Sequence, residues 1–182
     1  QDGTKWDDCK NNRYRHELSG KPFKGKAWYA YSIYIPEDFT VKVHPVKQYL
    51  GQFHQENSWP TLMFRFGSRG YYVIRQWDGS MVDRTKLLGV NEMLGKWNDI
   101  LIHINSTSKD NGFYKVWVNG KLKYDYKGRT TEGNKSFFKF GIYQTRVDRW
   151  NTDAMGEYPT QVVYFDEVRA GKKKKDVIKN LK

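Results

Sequence analysis

Three short segments of the sequence each carry two polar residues at alternate positions. The pairs are Arg15 with Glu17, Gln52 with His54, and Lys139 with Tyr143. Because side chains alternate between the two faces of a strand, each pair would share one face while its apolar neighbours point the other way. Arginine and glutamine can neutralise a carboxylate, and histidine and tyrosine can transfer protons. The three pairs together predict acid–base chemistry on an acidic substrate.

The segment 137–146 has the clearest two-faced pattern. Its apolar face consists of Phe138, Phe140 and Ile142, and its polar face of Lys139, Gly141, Tyr143 and Thr145. A core strand needs no lysine or tyrosine on its second face, and we expect the glycine between them to leave room above the sheet. Polar residues also occur on the solvated side of ordinary antiparallel sheets. The case for a site therefore depends on the other two segments.

Short strands separated by turns account for most of the chain. The predicted strands are 13–18, 27–35, 49–55, 61–66, 71–77, 99–105, 113–118, 121–126, 137–146 and 161–170. Asn119–Gly120 is the strongest hairpin signal, whereas residues 80–95 are less regular. No repeat, linker or long helix is apparent. The pattern predicts an all-β antiparallel sandwich, in one domain over residues 1–182 with a basic tail at 172–182.

Composition indicates a polyanionic partner. The 182 residues include 32 Lys and Arg against 20 Asp and Glu, for a net charge of +12. Such a charge suits nucleic acid, an anionic polysaccharide or a membrane surface, or it serves solubility alone. Cys9 is the single cysteine, which excludes an intrachain disulfide. No apolar run reaches membrane-spanning length. We expect a secreted or extracellular protein whose leader has been removed.

The three segments resemble the three motifs of alginate lyases with a β-jelly-roll fold. R-H-E-L at 15–18, Q-F-H at 52–54 and F-F-K-F-G-I-Y-Q at 137–144 are similar to R-x-E-L, Q-I-H and Y-F-K-A-G-x-Y. The wider order of Y-S-I-Y-I-P, Q-F-H-Q, V-W-V-N-G and F-K-F-G-I-Y resembles the heparin lyase I-like and glucuronan lyase group. Phe140 replaces a small residue of the alginate lyase pattern, and Ser19 replaces a common arginine. These departures leave the substrate open.

The resemblance implies a jelly roll of two antiparallel sheets with a concave substrate groove, and β-elimination of a 4-linked uronate. In this reaction the C5 proton is removed, the C4–O bond breaks, and negative charge builds on the carboxylate. Gln52 and Arg15 are the candidates that neutralise this charge. Tyr143 and His54 are the candidate base and acid.

The ring stereochemistry decides how Tyr143 and His54 would divide the proton transfers. In glucuronate and mannuronate the C5 proton and O4 share a ring face, so Tyr143 could serve as base and acid while His54 neutralises or orients. In iduronate and guluronate they lie on opposite faces, so His54 would be the base and Tyr143 the acid. A tyrosine base needs a lowered pKa, which we expect Lys139, Arg146 or Arg15 to provide.

The remaining candidates bind the substrate rather than transform it. They are Lys139, Glu17, Arg13, Arg65, Arg75, Gln144 and Arg146. We expect no required cofactor and no catalytic metal. A structural calcium ion on Asp148, Asp153, Asp166 and Glu167 is an alternative without diagnostic spacing. A glucuronate polymer is the favoured substrate, with alginate and heparin or heparan sulfate as others, and we expect a monomer.

Two other classes of protein share the basic charge. A non-catalytic module that binds anionic glycans needs neither acid nor base, so the presence of both His54 and Tyr143 argues against it. A nucleic-acid-binding protein would show the same interleaving of basic and aromatic residues. We disfavour nucleic acid as a partner and expect no membrane partner. A retaining glycoside hydrolase would need two nearby carboxylates. An E-x-D-x-x-E arrangement of such acids is missing from the sequence.

Overall fold

The computed structural model describes Asp8 and residues 12–178, which form two antiparallel sheets packed face to face. One sheet has the order β1 (Arg13–Ser19), β10 (Ser136–Thr145), β3 (Lys47–Gln55), β4 (Leu62–Gly67), β5 (Gly70–Trp77) and β6 (Ser80–Leu88). The other has the order β11 (Tyr164–Gly171), β2 (Gly25–Tyr34), β7 (Trp97–Ser106), β8 (Phe113–Val118) and β9 (Lys121–Lys127). The predicted all-β jelly-roll sandwich is confirmed.

Helices are short and lie between strands. The α-helices are α1 (Val90–Met93) and α2 (Thr152–Met155), and the 3₁₀ helices are Val147–Arg149 and Lys174–Asp176. In the described part of the chain, no helix is long and apolar enough to cross a membrane. In the basic tail, the lysines at 172–175 are exposed, but Val177 after them is buried against Ala30 and Leu101 on the five-stranded sheet. Cys9 and residues 179–182 lie outside the described residues.

The strand β6 corrects the expectation that residues 80–95 are irregular. Met81 and Val82 are about half exposed, so this edge strand lacks the apolar alternation that a sequence reading depends on. Backbone pairing with β5 holds it instead. The last strand begins at Tyr164, three residues later than predicted. The hairpin at Asn119–Gly120 is confirmed, and both of its turn residues have positive φ.

Aromatic side chains fill the space between the sheets. Phe138 of β10 is 3% exposed and contacts the rings of Tyr31 and Phe53. The hydroxyls of Tyr31 and Tyr71 lie 2.9 Å apart and join β2 of one sheet to β5 of the other. As predicted, Phe140 and Ile142 pack against the same core. Burial of these rings supplies most of the free energy that holds the sheets together.

The opposite side of the six-stranded sheet faces away from the core, and we call it the outer face. Its residues alternate along each strand with core residues. A separate apolar cluster on this face contains Tyr49, Met63, Tyr72, Ile74 and Tyr143. The outer face therefore has an apolar floor of its own, which the core does not require.

Gly141 has a structural reason different from the one the sequence suggested. Its φ is +134°, and a Cβ there would lie 2.0 Å from the backbone oxygen of His16. The register between β10 and β3 also shifts between Phe140 and Tyr143. Glycine is needed because β1 approaches the irregular backbone of β10 closely, rather than to leave room above the sheet.

We expect Gly141→Ala to lower the free energy of unfolding by about 2–4 kcal/mol, because β1 must move away from β10. Urea denaturation measures this change, provided that the slope of the unfolding free energy against urea concentration is the same for variant and wild type. Gly67→Ala is the matched control, since a Cβ there meets nothing within 4 Å. It should be neutral or stabilising by up to about 1 kcal/mol. Equal stability of the two variants would show that β1 tolerates the extra atom.

Candidate active site

All four predicted catalytic residues come together on the outer face. Arg15 on β1 lies opposite Tyr143 on β10. On the other side of β10, Gln52 lies opposite Lys139, and His54 lies opposite Phe137. Residues far apart in sequence thus lie on three adjacent strands. The two-residue alternation read from the sequence directs their side chains to one surface.

Gln52 is held by Glu17 across the intervening strand. The Gln52 amide Nε2 donates to Glu17 Oε1 at 2.7 Å. The other oxygens of this pair, Glu17 Oε2 and Gln52 Oε1, are buried without a hydrogen-bond partner. Burial raises the pKa of Glu17, while the hydrogen bond from Gln52 and the charges of Lys139 and Arg15 oppose the rise. Glu17 was predicted to bind substrate. In the structure its carboxylate holds the side-chain amide of Gln52 in place.

Arg15 is positioned by an acid and a ring. Its Nη2 lies 2.8 Å from Asp8 Oδ1, and its guanidinium carbon is 5.7 Å from the centroid of the Tyr143 ring. This places a positive charge beside the Tyr143 phenol. Arg15 can therefore act both on a substrate carboxylate and on the proton affinity of Tyr143.

The pKa of Tyr143 is raised, which corrects the expectation of a lowered value. Burial is the largest cause, and the charges of Arg13 and Arg15 oppose it without overcoming it. Of the three cations expected to lower this pKa, Arg15 does contribute, but Lys139 and Arg146 are not among the causes. Tyr143 is consequently a protonated phenol at neutral pH, ready to act as an acid.

The pKa of His54 is lowered, in contrast to that of Tyr143. Its Nδ1 is 2.7 Å from the backbone oxygen of Gln55, so Nδ1–H donates there and the lone pair lies on Nε2. The imidazole stacks on Phe137, with centroids 5.4 Å apart. Burial lowers the pKa of His54, the hydrogen bond to Gln55 opposes this shift, and the charges of Lys139 and Arg15 lower the pKa further. His54 is therefore neutral near pH 7 and can accept a proton.

Cations flank these residues. Arg65 projects onto the outer face from β4, opposite Tyr49. The pKa of Lys47 is lowered by burial and by the charges of Arg146, Arg65 and Arg149. The contribution of three arginine charges to this lowered pKa of Lys47 shows that positive charges are crowded around it. The face can thus attract a polyanion.

Two predicted substrate-binding residues do not lie on the outer face. Arg75 points to the core side of β5, where its guanidinium carbon is 4.1 Å from the centroid of the Tyr126 ring. Gln144 is 4% exposed, and its Nε2 donates to Gln48 Oε1 and to the Tyr158 hydroxyl. Both side chains are used inside the protein. These two predictions are therefore corrected.

The sequence reading missed Tyr49, whose ring centroid is 5.7 Å from that of Tyr143. Tyr49 and Gln52 share the outer face although they are three residues apart, because β3 has a register shift between Tyr49 and Gly51. A strict two-residue period would place them on opposite faces. Phe137 was also missed as a partner of His54. The sequence did carry a signal for Phe137, because it alternates with Lys139 and Tyr143 and is therefore expected on the same face.

The calcium ligands proposed from the sequence do not assemble. Among the described residues there is no group of three or more histidine, cysteine or acidic side chains that could hold a metal ion. Asp148 lies in a 3₁₀ helix, Asp153 in α2, and Asp166 and Glu167 in β11. Glu167 forms an ion pair with Arg169.

The protein was compared with known families and structures. Residues 3–169 match the polysaccharide lyase family. An endo-β-1,4-glucuronan lyase from Trichoderma reesei has a similar structure, with a TM-score of 0.67 and 20% identity over 92% of this chain and 78% of that one. An alginate lyase from Alteromonas sp. 272 has a TM-score of 0.63 and 13% identity, over 88% of this chain and 80% of that one.

An alginate lyase from Pseudomonas aeruginosa also shares the fold, with a TM-score of 0.56 and 17% identity. The similarity covers 81% of this chain and 65% of that one. No curated protein matches the sequence. At these identities the likeness to solved structures is one of fold.

The family match and the fold define a polysaccharide lyase, an enzyme that cleaves a polysaccharide chain by elimination. The match over 3–169 covers nearly the whole chain, so the chain belongs to the polysaccharide lyase family.

We expect the imidazole of His54 to titrate below the ordinary histidine pKa of about 6.5. Removing a nearby positive charge with Lys139→Gln should raise the midpoint, because protonation then meets less repulsion. Nuclear magnetic resonance of labelled histidine measures both values. Lys123→Gln on β9 is the control and should leave the midpoint unchanged. A midpoint above the ordinary value would contradict the role of His54 as a neutral base.

Proposed function

We propose that the outer face cleaves a 4-linked uronate polymer by β-elimination, with a glucuronate polymer as the favoured substrate. The observation that carries this proposal is the convergence of Arg15, Gln52, His54 and Tyr143 on three adjacent strands of one face. The structural likeness to a glucuronan lyase supports the choice of glucuronate. Alginate, heparin and heparan sulfate contain uronates that the same groups could act on.

Arg15 and Gln52 neutralise the charge that develops on the uronate carboxylate. One Nε2 hydrogen of Gln52 is already used by Glu17, so its second hydrogen is directed to the substrate. Arg15 offers a planar fork that matches the two carboxylate oxygens. Because Asp8 and Glu17 hold these donors before substrate binds, little reorganisation is needed as the enolate-like charge appears.

Tyr143 and His54 transfer the protons. The electron pair of the C5–H bond forms the C4=C5 double bond, and the electrons of the C4–O4 bond leave on O4. On iduronate or guluronate, where the C5 proton and O4 lie on opposite ring faces, neutral His54 takes the C5 proton on Nε2 and protonated Tyr143 gives its proton to O4. On glucuronate, where they share a ring face, Tyr143 first gives its phenol proton to Nε2 of His54, then takes the C5 proton as a phenolate and passes it to O4.

The surrounding charges hold the polymer. Arg13, Lys139, Arg65 and Arg146 would contact carboxylates of neighbouring sugars. Such a polysaccharide is found outside the cell, so the proposal includes secretion of the enzyme. It also includes a monomeric enzyme with one site, since all proposed catalytic residues come from one chain.

The experiment that tests the proposal follows ultraviolet absorbance during incubation with glucuronan, alginate, heparin, heparan sulfate and hyaluronan. Elimination creates a double bond conjugated with the carboxylate, which absorbs, whereas hydrolysis and binding do not. We expect a rise on glucuronan and an about 100- to 10,000-fold slower rise with Tyr143→Phe. Tyr164→Phe, at an exposed position on β11, is the control and should retain the rate. No rise on any polymer would contradict the proposal.

We expect Arg15→Lys to lower kcat/KM by about 10- to 100-fold, because an ammonium group cannot make the two parallel bonds of a guanidinium. Retention on an anionic glycan column should change little, since the charge is kept. Arg129→Lys, at an exposed position packed on Trp77, is the matched control. If Arg15→Lys retained full kcat/KM, positive charge alone would be sufficient and the bidentate role would be wrong.

A further inference from the structure

A groove at one end of the outer face carries a cluster of cations apart from the proposed catalytic residues. It lies between the β4–β5 turn and the loop before β3, and has a volume of about 400 Å³. We call it the arginine groove and define it by the side chains of His44, Arg65, Arg69, Tyr72 and Arg84. None of the described residues that line it is an aspartate or a glutamate. Its chemistry suits an anion.

In the part of the chain that the structure describes, no carboxylate forms an ion pair with any of the three arginines of the groove. The charge of Arg65 also reaches Lys47 and lowers its pKa. Like charges around one cavity repel each other, and a bound oxyanion relieves this repulsion. Arginine is the side chain that best matches carboxylate and sulfate oxygens.

Aromatic contacts hold this cluster in place. The Arg84 guanidinium carbon lies 5.2 Å from the centroid of the Tyr72 ring. The Tyr72 hydroxyl donates to the backbone oxygen of Arg69 at 2.9 Å, which fixes the turn that carries Arg69. Tyr72 thus contacts the side chain of Arg84 and holds the backbone of Arg69. Such support lowers the entropy cost of binding an anion.

The groove lies in line with the proposed catalytic residues. Tyr143, Tyr49, Arg65 and Tyr72 are successive partners across β10, β3, β4 and β5. A parallel row runs from Lys139 through Gln52, Met63 and Ile74 to Arg84. With neighbouring strands about 4.8 Å apart, β6 is about 19 Å from β10. The repeat of a 4-linked sugar chain is close to one strand spacing.

We propose that the arginine groove binds an oxyanion of the polysaccharide, a carboxylate or a sulfate, about two to four sugars from the cleaved linkage. This inference rests on the proposed function. The sugar rings between the two sites would cross the outer face above the buried side chains of Met63 and Ile74, where the partly buried Tyr72 and Tyr143 pack on the same cluster. The enzyme then recognises an extended anionic chain, and long substrates bind better than short ones.

A double variant, Arg69→Gln with Arg84→Gln, tests the groove. Both side chains are exposed, so the fold should be kept. We expect KM for the glucuronate polymer to rise about tenfold or more, with most of the effect in KM rather than kcat. The control with the same charge change is Lys121→Gln with Lys123→Gln on β9 of the other sheet. Equal KM values for the two double variants would overturn the proposal.

Binding without turnover separates this inference from the proposed function. Calorimetry compares Tyr143→Phe with the triple variant Tyr143→Phe, Arg69→Gln and Arg84→Gln, using a glucuronate hexasaccharide and a heparin hexasaccharide. If the triple variant binds the glucuronate hexasaccharide more weakly, the bound group is a carboxylate. If it binds only the heparin hexasaccharide more weakly, the bound group is a sulfate. Equal affinities of the two variants for both hexasaccharides would overturn the proposal for the arginine groove, even if the wild-type protein catalyses elimination. A difference in affinity without elimination by the wild type would contradict only the proposed function.

Discussion

The pairing of β10 between β1 and β3 determines where every proposed catalytic residue lies. Arg15 reaches Tyr143 and Glu17 reaches Gln52 only because these three strands are adjacent. The pairing depends in turn on the close backbone approach at Gly141, which no other residue type permits without movement. On the core side, Phe138 and its aromatic neighbours anchor the same strand. One strand thus joins the stability of the sandwich to the geometry of the site.

Burial gives the two proton-transfer candidates opposite properties. It raises the pKa of the Tyr143 phenol and lowers that of the His54 imidazole, so both groups are neutral near pH 7. Their neutrality matters because the substrate brings negative charge and the surrounding arginines and lysines bring positive charge. The positive charges are then available for the substrate carboxylate, while Tyr143 donates a proton and His54 can accept one.

The fold class and the central site residues could be predicted because both depend on alternation along strands. Phe138 and Tyr143 are on opposite faces in the sequence pattern and in the structure. Alternation failed where the backbone is irregular: the register shift in β3 concealed Tyr49. Alternation also says nothing of partners in space, so Arg75, which packs on Tyr126 inside the sandwich, was wrongly predicted to bind substrate. The sign of the Tyr143 pKa shift required the three-dimensional burial as well.

The central claim is that this outer face breaks the C4–O4 bond by elimination. Mass spectrometry of the products formed from glucuronan tests it most directly. The account predicts new non-reducing ends that are lighter than the hydrolysis product by one water, because they carry a C4=C5 double bond. Non-reducing ends with the full mass of the hydrolysis product would mean that water is added across the linkage, and would contradict the assignment of Tyr143 and His54 to elimination.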